Sequence, residues 1–156
     1  MLETTIPDFG ALRLEHLVLD MNGTLAQRGE LLPGVREGLV ALAAHVEIHV
    51  LTADTFGSAR QVLAELPCTV EVLAAADQAE AKRAVVERLG AARTVAIGNG
   101  RNDRSMLAAA RLGIAVILGE GAATAALQAA DIVCTRIDDA LALLREPRML
   151  VATLRS

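Results

Sequence analysis

The segment from His16 to Thr24 constrains the fold most: the apolar run Leu17-Val18-Leu19 ends at Asp20, and the chain then turns through Met21-Asn22-Gly23-Thr24. Such a run suits a strand buried on both faces. Gly23 permits a tight turn that keeps the Asp20 carboxylate at the carboxyl end of the strand, where open α/β sheets bind ligands. Taken alone, the same string is also an ordinary turn, since Asn and Gly both tolerate positive φ.

Three later segments repeat the pattern. Val46 to Leu51 is a second apolar run, and it ends in Thr52-Ala53-Asp54-Thr55, a hydroxyl followed by residues able to cap a helix. A hydroxyl beside free amides can grip phosphate. In Ala76-Asp77-Gln78-Ala79-Glu80-Ala81-Lys82 the spacing of Asp77 and Glu80 predicts a capping box, with a helix running to Leu89 and stopping at Gly90. Lys82 then falls near the positive end of that helix, a placement that makes sense beside an anion. Thr94 to Ile97 is another strand, followed by the turn Gly98-Asn99-Gly100-Arg101-Asn102-Asp103, rich in side-chain oxygens.

Together, Asp20-Met21-Asn22-Gly23-Thr24, Thr52, Lys82 and Gly98 to Asp103 resemble the four motifs of the haloacid dehalogenase (HAD) superfamily in order and spacing. The closest likeness is to the phosphorylation domain of P-type ATPases, whose downstream pattern also resembles Leu112-Gly113-Ile114-Ala115-Val116 and Ala129-Ala130-Asp131-Ile132-Val133. The resemblance covers residues 14 to 135. It implies a P-type-ATPase-like phosphatase in which Asp20 is the nucleophile that becomes an aspartyl phosphate. Thr52 and Lys82 would hold the phosphoryl oxygens, with Ala53 and Asn102 as further phosphate-binding candidates. The implied cofactor is Mg²⁺, with Asp20, Asn22 through its backbone carbonyl, Asn99 and Asp103 as candidate ligands. A nucleophile, a cation clamp and a hard metal ion are what phosphoryl transfer requires.

Two positions depart from the superfamily pattern. Asn22 stands where most of its phosphatases carry an acid/base aspartate, and Asn99 where the fourth motif supplies a carboxylate. An amide cannot exchange protons, so slow turnover or a long-lived phosphoenzyme is expected. A regulatory pseudoenzyme and a receiver-like phospho-switch are the alternatives. A receiver needs an acidic pair ahead of the phosphorylated strand, and only Asp8 precedes Asp20 in a suitable place; that reading also leaves Gly98 to Asp103 without a role.

The 156 residues, 53% of them hydrophobic, are expected to form a single domain over residues 1–156. Alternating strand-like and helix-like segments predict an α/β, Rossmann-like fold: a mostly parallel sheet with helices on both faces and strands near 16–20, 46–51, 69–73, 94–98, 114–118 and 131–134. Residues 2–15 read as a hairpin at the sheet edge, and Thr24 to Leu32 as a small flap around Gln27-Arg28-Gly29. The intervals between motifs leave no space for a cap domain. A capless site favours a homo-oligomer acting on a small phosphate ester, with a macromolecular phosphosubstrate as the lesser alternative. A net charge of -4 with two Phe and no Trp or Tyr offers neither a basic groove nor stacking platforms, so no nucleic acid partner is expected. No membrane span or secretion signal is visible, and a cytoplasmic location is expected. Cys68 and Cys134 read as isolated thiols. His16, His45 and His49 read as scattered structural residues.

Overall fold

In the computed structural model, residues 1–54 and 57–156 are described. Thr55, which the sequence offers as a capping residue, lies outside them. The central sheet is built from β3 (His16–Asp20), β6 (Glu47–Thr52), β7 (Thr69–Val72), β8 (Thr94–Gly98), β9 (Leu112–Val116) and β10 (Ile132–Cys134). Its strands are all parallel and run in the order β10-β9-β8-β3-β6-β7. Strand order therefore reverses at β3, which has β6 on one side and β8 on the other. Ligands in open α/β sheets bind at the carboxyl ends of the strands at such a switch point. Asp20 closes the strand where the switch occurs.

Period-two alternation explains why β3 is apolar throughout. Leu17 and Leu19 enter one core with Leu39 and Leu42 of α1 (Val35–Leu42) and Leu141 and Leu144 of α6 (Ile137–Arg145). Val18 points to the opposite face, where it packs with Val85 and Val86 of α3 (Gln78–Leu89) and with Met106 and Leu107 of α4 (Arg104–Ala109). Helices thus cover both faces, as the pattern predicts. The remaining α-helices among the described residues are α2 (Ser58–Val62), α5 (Thr124–Ala129) and α7 (Pro147–Leu154). No helix of the described residues is long and apolar enough to cross a membrane.

Three expectations need correction. The N-terminal hairpin forms, as β1 (Leu2–Ile6) and β2 (Gly10–Leu14), but it is a separate two-stranded sheet and does not extend the edge of the central one. Its Ile6, Leu12 and Leu14 are buried in the same core as Leu17, and Glu15 carries the chain directly into β3. The capping box at α3 is absent: Asp77 sits in the left-handed region at φ 52° and makes no capping hydrogen bond, and Lys82 lies beyond the first turn. β9 starts two residues before the expected position because Gly113 is a packing residue, not a breaker. A Cβ there would come within 2.5 Å of the Leu107 carbonyl oxygen, so glycine lets α4 lie close against the strand.

The flap is present as β4 (Ala26–Gln27) and β5 (Glu30–Leu31), joined by Arg28 and Gly29 at φ 53° and 79°. Positive φ at both turn residues matches the twist of a tight hairpin.

Candidate active site

The four strand-end segments meet over β3. Gly23, at φ 77°, lets the chain double back after Asp20. The buried Thr24 hydroxyl then stands 3.2 Å from Asp20 Oδ2 and 3.3 Å from Asn99 Oδ1. Lys82, carried by α3 and 2% exposed, extends its ammonium to Asp20 Oδ1 at 2.8 Å, Asp103 Oδ1 at 2.7 Å and Asn102 Oδ1 at 3.3 Å. A helix whose surface is largely charged thus buries one lysine, and two carboxylates accompany it. Removing Lys82 would leave two buried carboxylates facing each other without a counter-charge.

Asp103 is fully buried, and both its oxygens are engaged. Oδ1 faces Lys82, and Oδ2 accepts the backbone N–H groups of Asn99 at 3.0 Å and Gly100 at 2.8 Å. Gly98 makes this possible: a Cβ there would lie 2.6 Å from Asp103 Cγ. Asn99 is fixed in turn, donating from Nδ2 to the Gly121 carbonyl at 3.1 Å, which turns Oδ1 toward Thr24 and Asp20.

Burial raises the Asp20 carboxyl, and the charge of Asp103 raises it further; Lys82 and Thr24 pull it back, and the balance lies at about 7. For Lys82, burial works to lower the pKa, but the charges and hydrogen bonds of Asp20 and Asp103 outweigh it and hold the ammonium above its ordinary value. The lysine therefore stays a cation, and further positive charge in the cleft would favour the ionised form of Asp20.

Asp20, Asn22, Thr52, Ala53, Lys82, Asn99, Gly100 and Asn102 line one cleft, together with Gln78 and Glu120. The buried Thr52 hydroxyl accepts the Asp54 N–H at 3.0 Å, while Asp54 Oδ2 accepts the Ala59 N–H at 3.2 Å, so Asp54 serves the start of α2. Glu120 is the residue that the sequence does not flag. Its carboxylate occupies the space that a Cβ on Gly23 would need. The loop that carries it is tied to Asn99 through the Gly121 carbonyl and the Ala123 N–H.

A family model for haloacid dehalogenase-like hydrolases matches residues 74–143. An uncharacterized protein of Methanocaldococcus jannaschii is 49% identical over 61 residues, which is 39% of this chain and 66% of that protein, just under two thirds of its length. A structure of 3-deoxy-D-manno-octulosonate 8-phosphate phosphatase from Moraxella catarrhalis, with magnesium, phosphate and its sugar acid bound, superposes with a TM-score of 0.70 at 16% identity. That alignment covers 91% of this chain and 94% of the other. A zinc-transporting PIB-type ATPase is 28% identical with a TM-score of 0.63, over 79% of this chain and 20% of the pump. Residues 74–143 therefore match haloacid dehalogenase-like hydrolases, and the chain as a whole shares the fold of a haloacid dehalogenase-type phosphatase.

Among the described residues the domain is compact and carries no cap over the cleft. The two asparagines stand at different depths in its cleft. Asn99 is buried and held in a fixed orientation, whereas Asn22 is exposed beside the flap and bridges to Ala26. The donor set fits a hard cation: Asp20 Oδ2 and Asn99 Oδ1 share the Thr24 hydroxyl, the Glu120 carboxylate lies over the turn between them, and every candidate ligand is oxygen. Arg104, which flanks the fourth motif, turns back to the Arg101 carbonyl at 2.8 Å.

Proposed function

We propose that this protein is a HAD-type, Mg²⁺-dependent phosphohydrolase that works through an aspartyl phosphate on Asp20, with a small phosphate ester as substrate. The observation that carries the reading is the buried Asp20–Lys82–Asp103 cluster at the floor of an open cleft. With Asp20 ionised, two carboxylates and one ammonium carry a net charge of about -1, which repels a phosphate until a divalent cation reverses the sign. Asp20 Oδ2, Asn99 Oδ1 and the Asn22 carbonyl would hold Mg²⁺, with Asp103 and Glu120 adding negative charge around it. When bound, the ion neutralises charge on the phosphoryl group and fixes its orientation.

The remaining work falls to the chain itself. Lys82 and Thr52 hold the phosphoryl oxygens so that the Asp20 carboxylate faces phosphorus in line with the leaving group. The Asp20 oxygen forms a bond to phosphorus as the bond to the ester oxygen breaks. The departing oxygen takes its proton from solvent, because Asn22 has none to give. Water then attacks phosphorus, the bond to Asp20 breaks, and inorganic phosphate leaves with the carboxylate regenerated. An open cleft without a cap favours a homo-oligomer in which a neighbouring subunit covers the entrance. The receiver-like reading gains nothing from the structure, since the Gly98 to Asp103 turn is built into the site through Asp103 and Asn99.

Phosphate release from a small aryl phosphate, with and without Mg²⁺, tests the reading. Turnover is expected in the wild type with Mg²⁺ and is absent from Asp20→Asn. Equal rates in the two proteins would end the hydrolase account and favour a phosphate-binding pseudoenzyme.

A further inference from the structure

The alternation that buries Val18 and Leu51 on the α3 face also places His16, Glu47 and His49 on that face, at the opposite end of the same strands. The parallel register sets His16 beside Glu47 and Val18 beside His49. His16 Nδ1 lies 3.4 Å and His49 Nε2 3.8 Å from one oxygen, Oε2 of Glu47, and the three atoms all lie within 4.8 Å of one another. Both nitrogens are buried without a hydrogen-bond partner. Such atoms are normally satisfied, and two of them converging on one carboxylate oxygen call for a common partner.

We infer that His16 Nδ1, His49 Nε2 and the Glu47 carboxylate form a binding site for a divalent transition metal of the zinc class, which ties the start of β3 to the start of β6. Ligand atoms about 2.0–2.1 Å from a tetrahedral zinc are roughly 3.4 Å apart, close to the two spacings observed here. Glu47 is largely exposed, so its carboxylate can close the remaining gap, and a water molecule would complete a tetrahedral set. Two imidazoles and one carboxylate suit zinc far better than Mg²⁺, which prefers oxygen. Arg88 does not compete for Glu47, since it is paired with both oxygens of Glu71 at 3.0 and 2.8 Å. Burial, followed by the neighbouring His16, lowers the pKa of His49, which favours the neutral imidazole that metals bind. Asp20 lies four residues along β3 from His16, about 13 Å away at the rise of a strand, so this site and the catalytic one are separate.

The test is a Zn²⁺ titration of the full chain carrying ¹⁵N-labelled histidine, in saturating Mg²⁺ so that the catalytic cleft is filled. One equivalent should shift the His16 Nδ1 and His49 Nε2 resonances and leave the exposed His45 unchanged. Glu47→Gln or His49→Gln should weaken Zn²⁺ binding by about 100-fold or more, since even an indirect partner of a metal ligand is typically worth 10- to 100-fold. Zn²⁺ at 100 times its Kd should raise the Tm by about 5 °C or more. Asp20→Asn should keep all of these responses, which separates this inference from the phosphohydrolase reading. Unshifted His16 and His49 resonances, shifts that include His45 equally, or undiminished affinity in the folded variants would overturn it. The wild-type spectra decide the matter even where a variant does not fold.

Discussion

Replacing Asp20 by Asn should stabilise the protein when divalent ions are absent, and by an amount that depends on pH. Burial and Asp103 hold the Asp20 carboxyl at about 7, against an ordinary value of 3.8. At about 1.4 kcal/mol per pH unit, ionising Asp20 in the folded state costs roughly 4 kcal/mol more than in the unfolded chain. The folded state thus binds the extra proton, so this group makes stability fall as pH rises from near 4 to near 7. Below that window Asp20 is protonated in both states and the penalty is absent; above it the penalty is complete. Asn keeps the shape without the charge, and Lys82 keeps Asp103 at 2.7 Å. Urea unfolding of both proteins at several pH values, in chelator, isolates the effect because other titrating groups largely cancel in the difference. The advantage of Asp20→Asn should grow by about 2–3 kcal/mol between pH 5 and pH 8. Mg²⁺ should narrow it at pH 8 by favouring the ionised carboxylate. An advantage that stays flat with pH, or shrinks as pH rises, would mean that Asp20 is not a buried, charge-frustrated group.

Asn22→Asp should restore the missing proton exchange and raise kcat by about 10²- to 10⁴-fold on alkyl phosphates, with a much smaller gain on aryl phosphates, whose leaving group needs no acid; steady-state kinetics on the two ester classes checks this. Gly98→Ala should push Asp103 off its two amide donors and cost about 1–3 kcal/mol in urea unfolding, with loss of phosphatase turnover, because the added methyl lies 2.6 Å from Asp103 Cγ. Glu120→Gln should raise the Mg²⁺ concentration for half-maximal activity by about 10-fold while kcat at saturating Mg²⁺ changes little, measured by Mg²⁺ titration of phosphate release.

Much of this site was legible because its chemistry is written in short runs. Asp20 with Gly23 and Thr24, and Gly98 with Asp103, are each set by a single strand end and its turn, so the local sequence carries the geometry. The sheet was legible for the same reason: β3 and β8 are unbroken apolar runs that end in turns. What was not legible depends on register and packing between distant segments. Glu120 reaches the cleft only because its loop is fastened to Asn99, and nothing around Glu120 in the sequence marks that contact. His16 and His49 look scattered along the chain, yet the pairing of β3 with β6 makes them neighbours, with ring centroids 5.5 Å apart. The capping box at Asp77 failed because its backbone takes a left-handed conformation, and residue spacing says nothing about φ. The N-terminal hairpin was correctly read as two strands, but its position followed from where Ile6, Leu12 and Leu14 could be buried.

The proposed mechanism depends on Asp20 carrying the phosphoryl group. Its most direct test is to mix the protein with a small aryl phosphate and Mg²⁺, quench in acid during the first turnovers, reduce with borohydride and map the product by mass spectrometry. An acyl phosphate on Asp20 is reduced to the alcohol, so the account predicts homoserine at position 20 in the wild type, dependent on both substrate and Mg²⁺ and absent from Asp20→Asn. Phosphate release with an unmodified Asp20, or modification at another carboxylate, would contradict it.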